Sequence, residues 1–556
     1  MTHQLKIVSA QLNPVVGDVA GNLARARAAY SEARARGADL VIFPEMFLLG
    51  YPPEDLVLKP AAVEACHTAL EALASETGEE GMPAIIIGAP WREDGHLYNA
   101  VAVLDEGRIF ALRFKHDLPN YDVFDEKRVF TSGPLPDLVE WRGLKLGLPI
   151  CEDIWLNTVP NHLIGQGANF FISINGSPWR RSIEQERWNA FSGWFDGWSG
   201  DKALVFVNQV GGQDELVFDG ASFGRDSAGT EIQRLPAFEE CLDTVDWIMT
   251  DAGWRCAGAR KSEAVTGLEA DWKAMVRALG DYVNKNGFSG VVLGMSGGVD
   301  SAISAAIAAD ALGPERVWAV MMPSKYTSED SLEDAKACAE AIGVRYDIID
   351  VEPAIESINK TLAVSFRGTE ANEAEENIQS RARGMILMAL SNKFGPMVLS
   401  TGNKSEMAVG YATLYGDMNG GYNALKDIYK TEVFDLCRWR NEVTHSVGLG
   451  PVGEVITPRI ITKPPSAELR PDQTDQDSLP PYDVLDAILE GLIEREADDE
   501  TLIAEGHDPA VVRRIENLLY RAEYKRRQAP PGVKIGSKNF GRDRRYPITN
   551  RFRASD

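Results

Sequence analysis

The stretch from Gly290 to Ser301, GVVLGMSGGVDS, runs an apolar segment into a Ser-Gly-Gly-Val-Asp-Ser turn and then into a run of small, helix-forming residues. Gly297 and Gly298 remove side chains where the backbone must approach an anion, leaving Ser296, Ser301 and successive N–H groups as donors. The helix that follows points its positive end, about half an elementary charge, at whatever the turn holds. The pattern predicts a phosphate cradle. No Gly-Lys-Ser/Thr follows the glycines and their spacing is not G-x-G-x-x-G, which weighs against kinase, GTPase and dehydrogenase chemistry. The plain alternative is a Gly-rich strand-to-helix turn.

Three more residues stand at or beside apolar runs: Glu45 closing DLVIFPE, Lys115 within LRFKHDLPNYDVFDE, and Cys151 closing LKLGLPICED. Taken singly, Cys151 reads as a small buried hydrophobe and the other two as solvated loop charges. Their interest lies in occurring together.

The elements that must position these groups fall into two halves. Up to about residue 250, short β-type runs (LKIVSAQL, DLVIFPE, AIIIGAP, NAVAVL, LKLGLPI, NFFISIN, ALVFVNQV) alternate with helical stretches, which predicts an α/β layer protein over 1–250. Regular patterning lapses over DAGWRCAGARKSEAVT, so 251–266 is expected to be a linker. A second pattern over 267–556 passes through GVVLG, RVWAVMMP, VRYDIID and PMVLSTGN, strands whose helical separations imply a parallel, doubly wound sheet. Beyond Pro464 a polar, turn-rich stretch leads into helices.

At 556 residues the chain exceeds a single core. Its formal charge of -25 argues against general nucleic-acid binding and requires any anionic substrate to meet a local basic pocket. The cysteines, at 66, 151, 241, 256, 338 and 437, form no C-x-x-C pair and no zinc spacing. With no signal-type start and no long uncharged apolar run, the expectation is reduced thiols in the cytoplasm and no membrane partner.

In their local contexts Glu45, Lys115 and Cys151 resemble the Glu-Lys-Cys triad of the nitrilase and amidase superfamily, which implies an αββα sandwich. In such a site a carboxylate takes the proton of a thiol that is largely protonated at neutral pH, and sulfur attacks an amide carbon. Glu45 would be the base, Cys151 the nucleophile, and Lys115 the cation facing the oxyanion, with a backbone N–H near Cys151 as second donor. The resemblance also implies that Tyr121 and Ser177 contact a glutamine substrate. Many relatives continue from Ser-Pro to Gly-Lys, whereas this chain has Trp179-Arg180-Arg181-Ser182, so Arg181 and Arg187 stand as alternative partners for the glutamine carboxylate.

The SGGVDS turn resembles the loop of PP-loop ATP pyrophosphatases. EENIQSRARGMILMALSN, LSTGNKSEMAVGYATLYGDMNGGYNALKDIYKTEV and PPSAELRPDQTDQDSLPPYD, joined to the nitrilase-like half, resemble the glutamine-dependent NAD synthetases. That implies adenylation of deamido-NAD by ATP and displacement of AMP by ammonia, since a free carboxylate is a poor electrophile. By resemblance, Gly294, Met295, Ser296, Gly297, Gly298, Val299, Asp300, Ser301 and Thr401 would bind ATP, and Asn377, Glu406 and Lys525 deamido-NAD. Asp300 and Glu406 would hold magnesium through hard oxygen ligands. Arg381, Arg383, Lys426 and Lys430 are further phosphate contacts, and Ala424 replaces a proline common in relatives. A homo-oligomer is implied.

Ammonia in neutral water is mostly ammonium, which is no nucleophile, so a sheltered passage between the two sites is expected. Asparagine synthetases need an N-terminal cysteine where this chain has Thr2, and GMP synthetases need a glutaminase histidine that is missing here. An ammonia-only ligase with a regulatory front half is the nearer rival, and a nucleotide sensor without turnover a more distant one.

Overall fold

The computed structural model describes residues 4–197, 201–471 and 473–552 and, within 191–197, the backbone alone. The chain forms two compact units, Met1–Val265 and Thr266–Asp556.

In the first unit a seven-stranded sheet runs in the order Gly253–Ala257, Cys241–Thr250, Gln4–Gln11, Leu40–Ile42, Ala84–Glu93, His96–Asp105 and Arg108–Phe114. A six-stranded sheet runs in the order Glu231–Arg234, Phe223–Arg225, Ala203–Asn208, Phe170–Asn175, Leu144–Gly147 and Val139–Trp141. Side chains alternate across each strand. Ile7, Ile42, Ile86 and Val103 pack against Leu146, Ile172, Val205 and Val207 in one buried layer between the sheets. Val8, Val41, Ile85 and Ile87 point the other way, onto Ala26, Ala33, Leu70 and Leu73 of the helices Val19–Ala35 and Pro60–Glu76. On the second sheet's outer face Phe171, Leu204 and Phe206 meet Val159 and Leu163 of the helix Thr158–Gly165. The result is the expected αββα sandwich.

The expected linker 251–266 is only partly a linker. Gly253–Ala257 is an edge strand paired antiparallel with Cys241–Thr250, and Trp254 is fully buried with its ring centroid 4.9 Å from that of Phe170. The small and charged residues around it hid a strand held by one indole.

The second unit carries a five-stranded sheet in the order Arg345–Ile348, Val317–Met321, Val291–Gly294, Met397–Ser400 and Tyr422–Asn423, with every pair parallel. Strand order reverses between Val291–Gly294 and Met397–Ser400, and ligands in such sheets bind beyond the carboxyl ends of the strands at that point. The SGGVDS turn leaves one of these strands and Thr401 follows the other. On one face Val292, Val320 and Val398 pack with Ile355, Ile378, Ala382 and Leu387 of the helices Glu352–Leu362 and Glu373–Phe394. The helix Val299–Leu312, buried on almost every side, also packs on the sheet. Helices Lys404–Val409, Tyr482–Ile493 and Pro509–Arg521 build a separate apolar cluster with Phe540. Lys404 is fully buried, ion-paired with Asp427 Oδ1 at 2.6 Å and donating to Glu494 Oε1 at 2.5 Å and the Lys538 carbonyl at 2.7 Å, which fastens the C-terminal segment beside Glu406.

Candidate active sites

In the first unit the structure brings Glu45, Lys115 and Cys151 together in a buried polar nest. Glu45 follows the strand Leu40–Ile42, Lys115 follows Arg108–Phe114, and Cys151 opens the single turn Cys151–Ile154 at the end of the six-stranded sheet. Lys115 Nζ, with no exposure, donates to Glu45 Oε1 at 2.8 Å and to Glu126 Oε1 at 2.9 Å. Asn99 Nδ2 donates to the same Glu45 oxygen at 2.7 Å, and Gly176 N–H to its other oxygen at 2.7 Å. Position 176 needs glycine, since a Cβ there would press on the Tyr51 ring. Tyr51 Oη donates to Glu126 Oε1 at 2.8 Å.

Glu126 is a member of this nest that the sequence did not single out. Burial pushes its carboxyl up while Lys115 opposes that shift. Burial alone would lower the Lys115 ammonium, but Glu126 and Glu45 outweigh it and hold the group well above its ordinary value. Burial and then the Glu45 charge raise the Cys151 thiol well above its usual range, against the pull of Lys115. Both shifts favour a protonated amine beside a neutral thiol. Cys151 itself has φ of +44°, a left-handed conformation that side chains other than glycine adopt at a cost.

Tyr121 is half exposed, and its hydroxyl donates to Glu152, the residue after Cys151, at 2.9 and 3.0 Å. Ser177 is buried, with its N–H donating to Asn208 Oδ1 at 2.9 Å. Arg187 is fixed by the buried Asp219 carboxylate at 2.8 to 3.0 Å and by Ser177 O and Oγ at 3.0 and 3.1 Å. Arg180 is held by Glu186 at 2.5 and 2.6 Å, while Arg181 is half-buried. Arg187 thus shapes the wall behind Ser177.

In the second unit two adjoining cavities lie at the switch point of the sheet. Ser296 to Ser301, Thr401, Glu406, Asp417, Lys430 and Asp475 line one. Gly294, Met295, Val320, Met322, Arg383, Leu387 and Asn419 line the other, and Ser296, Thr401 and Glu468 border both. Charged side chains dominate the first, and the second mixes apolar side chains such as Met322 and Leu387 with polar ones such as Arg383 and Asn419. Gly297 has φ of +78°, and a Cβ there would collide with the Ser331 carbonyl. Ser296 N–H and Gly298 N–H donate to Ser301 Oγ and Ser296 Oγ, each at 3.2 Å, so the turn is closed before any anion enters.

Asp300 and Glu406 meet across Lys430, whose Nζ donates to Asp300 Oδ2 and to Glu406 Oε1 at 3.4 Å. Burial pushes Glu406 up to about 8 although Lys430 opposes it. Burial alone would lower Lys430, but Asp300 and Glu406 raise it. Asn403 caps the helix Lys404–Val409 and donates to Asp300 Oδ1 at 3.0 Å, which locks the two carboxylate-bearing segments together. Among the described residues no group of three or more His, Cys, Asp and Glu side chains is arranged to hold a metal ion.

Asn377 and Lys525 do not line either cavity. Asn377 Oδ1 accepts from Thr413 Oγ1 at 2.7 Å. Lys525 Nζ donates to the Gly410 and Ala412 carbonyls at 2.9 and 2.8 Å, on either side of the cavity residue Tyr411. Arg383 borders the second cavity, whereas Arg381 is exposed and bonded to the Leu414 carbonyl at 3.2 Å. Lys426 and Ala424 are buried. All six cysteines are free thiols, and no helix among the described residues is long and apolar enough to cross a membrane.

Comparison with known proteins agrees with this two-part reading. Residues 6–249 match the carbon-nitrogen hydrolase family and residues 271–529 the NAD synthase family. The glutamine-dependent NAD(+) synthetase of Rhodobacter capsulatus is 50% identical over 100% of both chains. That of Acinetobacter baylyi is 44% identical over 99% of each. Among solved structures, the glutamine-dependent NAD+ synthetase of Acinetobacter baumannii in complex with ADP is 40% identical, covers 100% of both chains and superposes with a TM-score of 0.77. The enzyme from Cytophaga hutchinsonii shares the fold, with a TM-score of 0.80 at 22% identity over 99% of this chain and 98% of its own. The chain belongs to the glutamine-dependent NAD(+) synthetases.

Proposed function

We propose that the two sites perform successive halves of one amidation. At the first, Glu45 takes the Cys151 proton and sulfur attacks the glutamine amide. Lys115, held between Glu45 and Glu126, faces the developing oxyanion. Glu45 returns that proton to the departing nitrogen, ammonia leaves, and water hydrolyses the thioester to glutamate and the free thiol. Tyr121, Ser177 and Arg181 bind the amino-acid end of glutamine, and Glu152, 9% exposed and touching Tyr121, offers an acceptor for its ammonium.

At the second site the 294–301 turn and Thr401 hold ATP, while Glu406 on the cavity wall and, outside it, Asn377 and Lys525 border deamido-NAD. The nicotinate carboxylate attacks the α-phosphorus, pyrophosphate departs into the SGGVDS cradle, and ammonia displaces AMP to leave the amide of NAD. Asp300 and Glu406 suit magnesium: both are hard oxygen donors on the phosphate cavity, and Lys430 Nζ already rests between them as a cation. When bound, the ion would neutralise phosphate charge. Ammonia would pass between the sites sheltered from water, and the enzyme would work in the cytoplasm as a homo-oligomer.

The observation that carries the reading is the Lys115 ammonium gripped by two buried carboxylates beside Cys151. A regulatory front half would have no use for that arrangement. The adenylate step is tested with deamido-NAD labelled by ¹⁸O in its carboxylate. Transfer of one ¹⁸O to AMP supports it, and label-free AMP excludes it.

A further inference from the structure

Asp153 is 1% exposed and takes no part in the chemistry above, yet its carboxylate is bonded at both ends. Oδ1 accepts the N–H groups of His116 and Asp117 at 3.0 and 2.7 Å, the two residues after Lys115. Oδ2 accepts the N–H of Ile150 at 3.0 Å, and the Asp153 N–H returns a bond to the Ile150 carbonyl at 3.1 Å. This reciprocal pair closes the turn in which Cys151 is held at φ of +44°. One side chain therefore spans the chain entering the thiol and the chain leaving the amine, the latter 36 and 37 residues from it in sequence.

We propose that Asp153 is a positioning residue for glutamine hydrolysis, fixing the separation of Lys115 Nζ from Cys151 Sγ and holding the nucleophile in its left-handed turn. The inference rests on the assignment of Cys151 and Lys115 to glutamine hydrolysis. A carboxylate suits the task because its two oxygens accept three N–H donors, which an amide cannot do with one oxygen. Burial pushes Asp153 up to about 7 against the lowering effect of those N–H groups, so the ionised acceptor is kept at an energetic cost. The Asp153 carboxylate bonds the N–H groups of His116, Asp117 and Ile150 rather than the proposed glutamine contacts Tyr121 and Ser177, so loss of the tether should affect turnover more than glutamine binding.

The test is Asp153→Asn in the full-length enzyme, with glutaminase kcat and KM and ammonia-dependent NAD synthesis measured side by side. The expected result is a fall in glutaminase kcat of about 100-fold, with KM for glutamine changed less than about threefold and ammonia-dependent synthesis kept. Glutaminase kcat within about threefold of wild type, or a loss confined to KM, overturns the proposal. If D153N loses both activities, amide exchange in the wild type decides: protected N–H groups at His116, Asp117 and Ile150 support the tether, and exchange at exposed-loop rates refutes it. Cys151→Ala separates the two claims, because retention of glutamine-dependent synthesis by C151A removes the glutaminase assignment itself, whereas its loss beside an active D153N removes the tether alone.

Discussion

Lys430 Nζ bonds Asp300 at the start of two parallel helices, Val299–Leu312 and Lys430–Glu442, and ten residues further along both helices Arg440 bonds Asp310 at 2.8 Å. The helix that begins at the phosphate cradle and the helix that supplies its buried lysine are thus tied at both ends. The separation of Asp300 from Lys430 is set by a scaffold reaching well behind the site.

Lys430→Met removes the cation between Asp300 and Glu406 and leaves two half-buried carboxyl groups facing each other. NAD synthesis from glutamine and from ammonia should both fall by about 100-fold or more, because the loss lies in the ligase half. Steady-state assays with each nitrogen donor check this, and a loss confined to glutamine would contradict it.

Glu126→Gln keeps the shape of the side chain but removes one of the two charges that hold the Lys115 ammonium. Glutaminase turnover should fall by about 100-fold. Ammonia-dependent synthesis by the same variant should match wild type, and thiol alkylation can confirm that Cys151 remains in place.

Much of this was legible in the sequence. Apolar runs ending in Glu45, Cys151 and Gly294 announce strand ends, and strand ends are where α/β proteins place their chemistry. Glu126 was not legible, because Asp125-Glu126-Lys127-Arg128 reads as a solvated charge run and only the tertiary position of Tyr51 and Lys115 selects one of the four. The Arg187–Asp219 pair was not legible either: Arg187 lies on the helix Ile183–Gly197 and Asp219, 32 residues on, in a strand, and no spacing rule anticipates their pairing. The edge strand Gly253–Ala257 escaped because its only strong signal is Trp254.

The Asp153 carboxyl yields a pH signature in stability. Its folded value is raised to about 7 from the ordinary 3.8, so this group favours the fold fully below 3.8 and loses that contribution as pH climbs toward 7. Asp153→Asn removes the term, worth at most about 4 kcal/mol. The melting temperature of D153N minus that of wild type should therefore be more positive at pH 8 than at pH 5. A difference independent of pH would show that Asp153 titrates normally.

The sharpest measurement follows nitrogen. Wild type and Cys151→Ala are given ATP, deamido-NAD and either amide-¹⁵N glutamine or ammonium chloride, and the product is analysed by mass. The account predicts ¹⁵N-labelled NAD from glutamine with wild type, none with C151A, and normal NAD synthesis by C151A from ammonium. Labelled NAD from C151A and glutamine would contradict it.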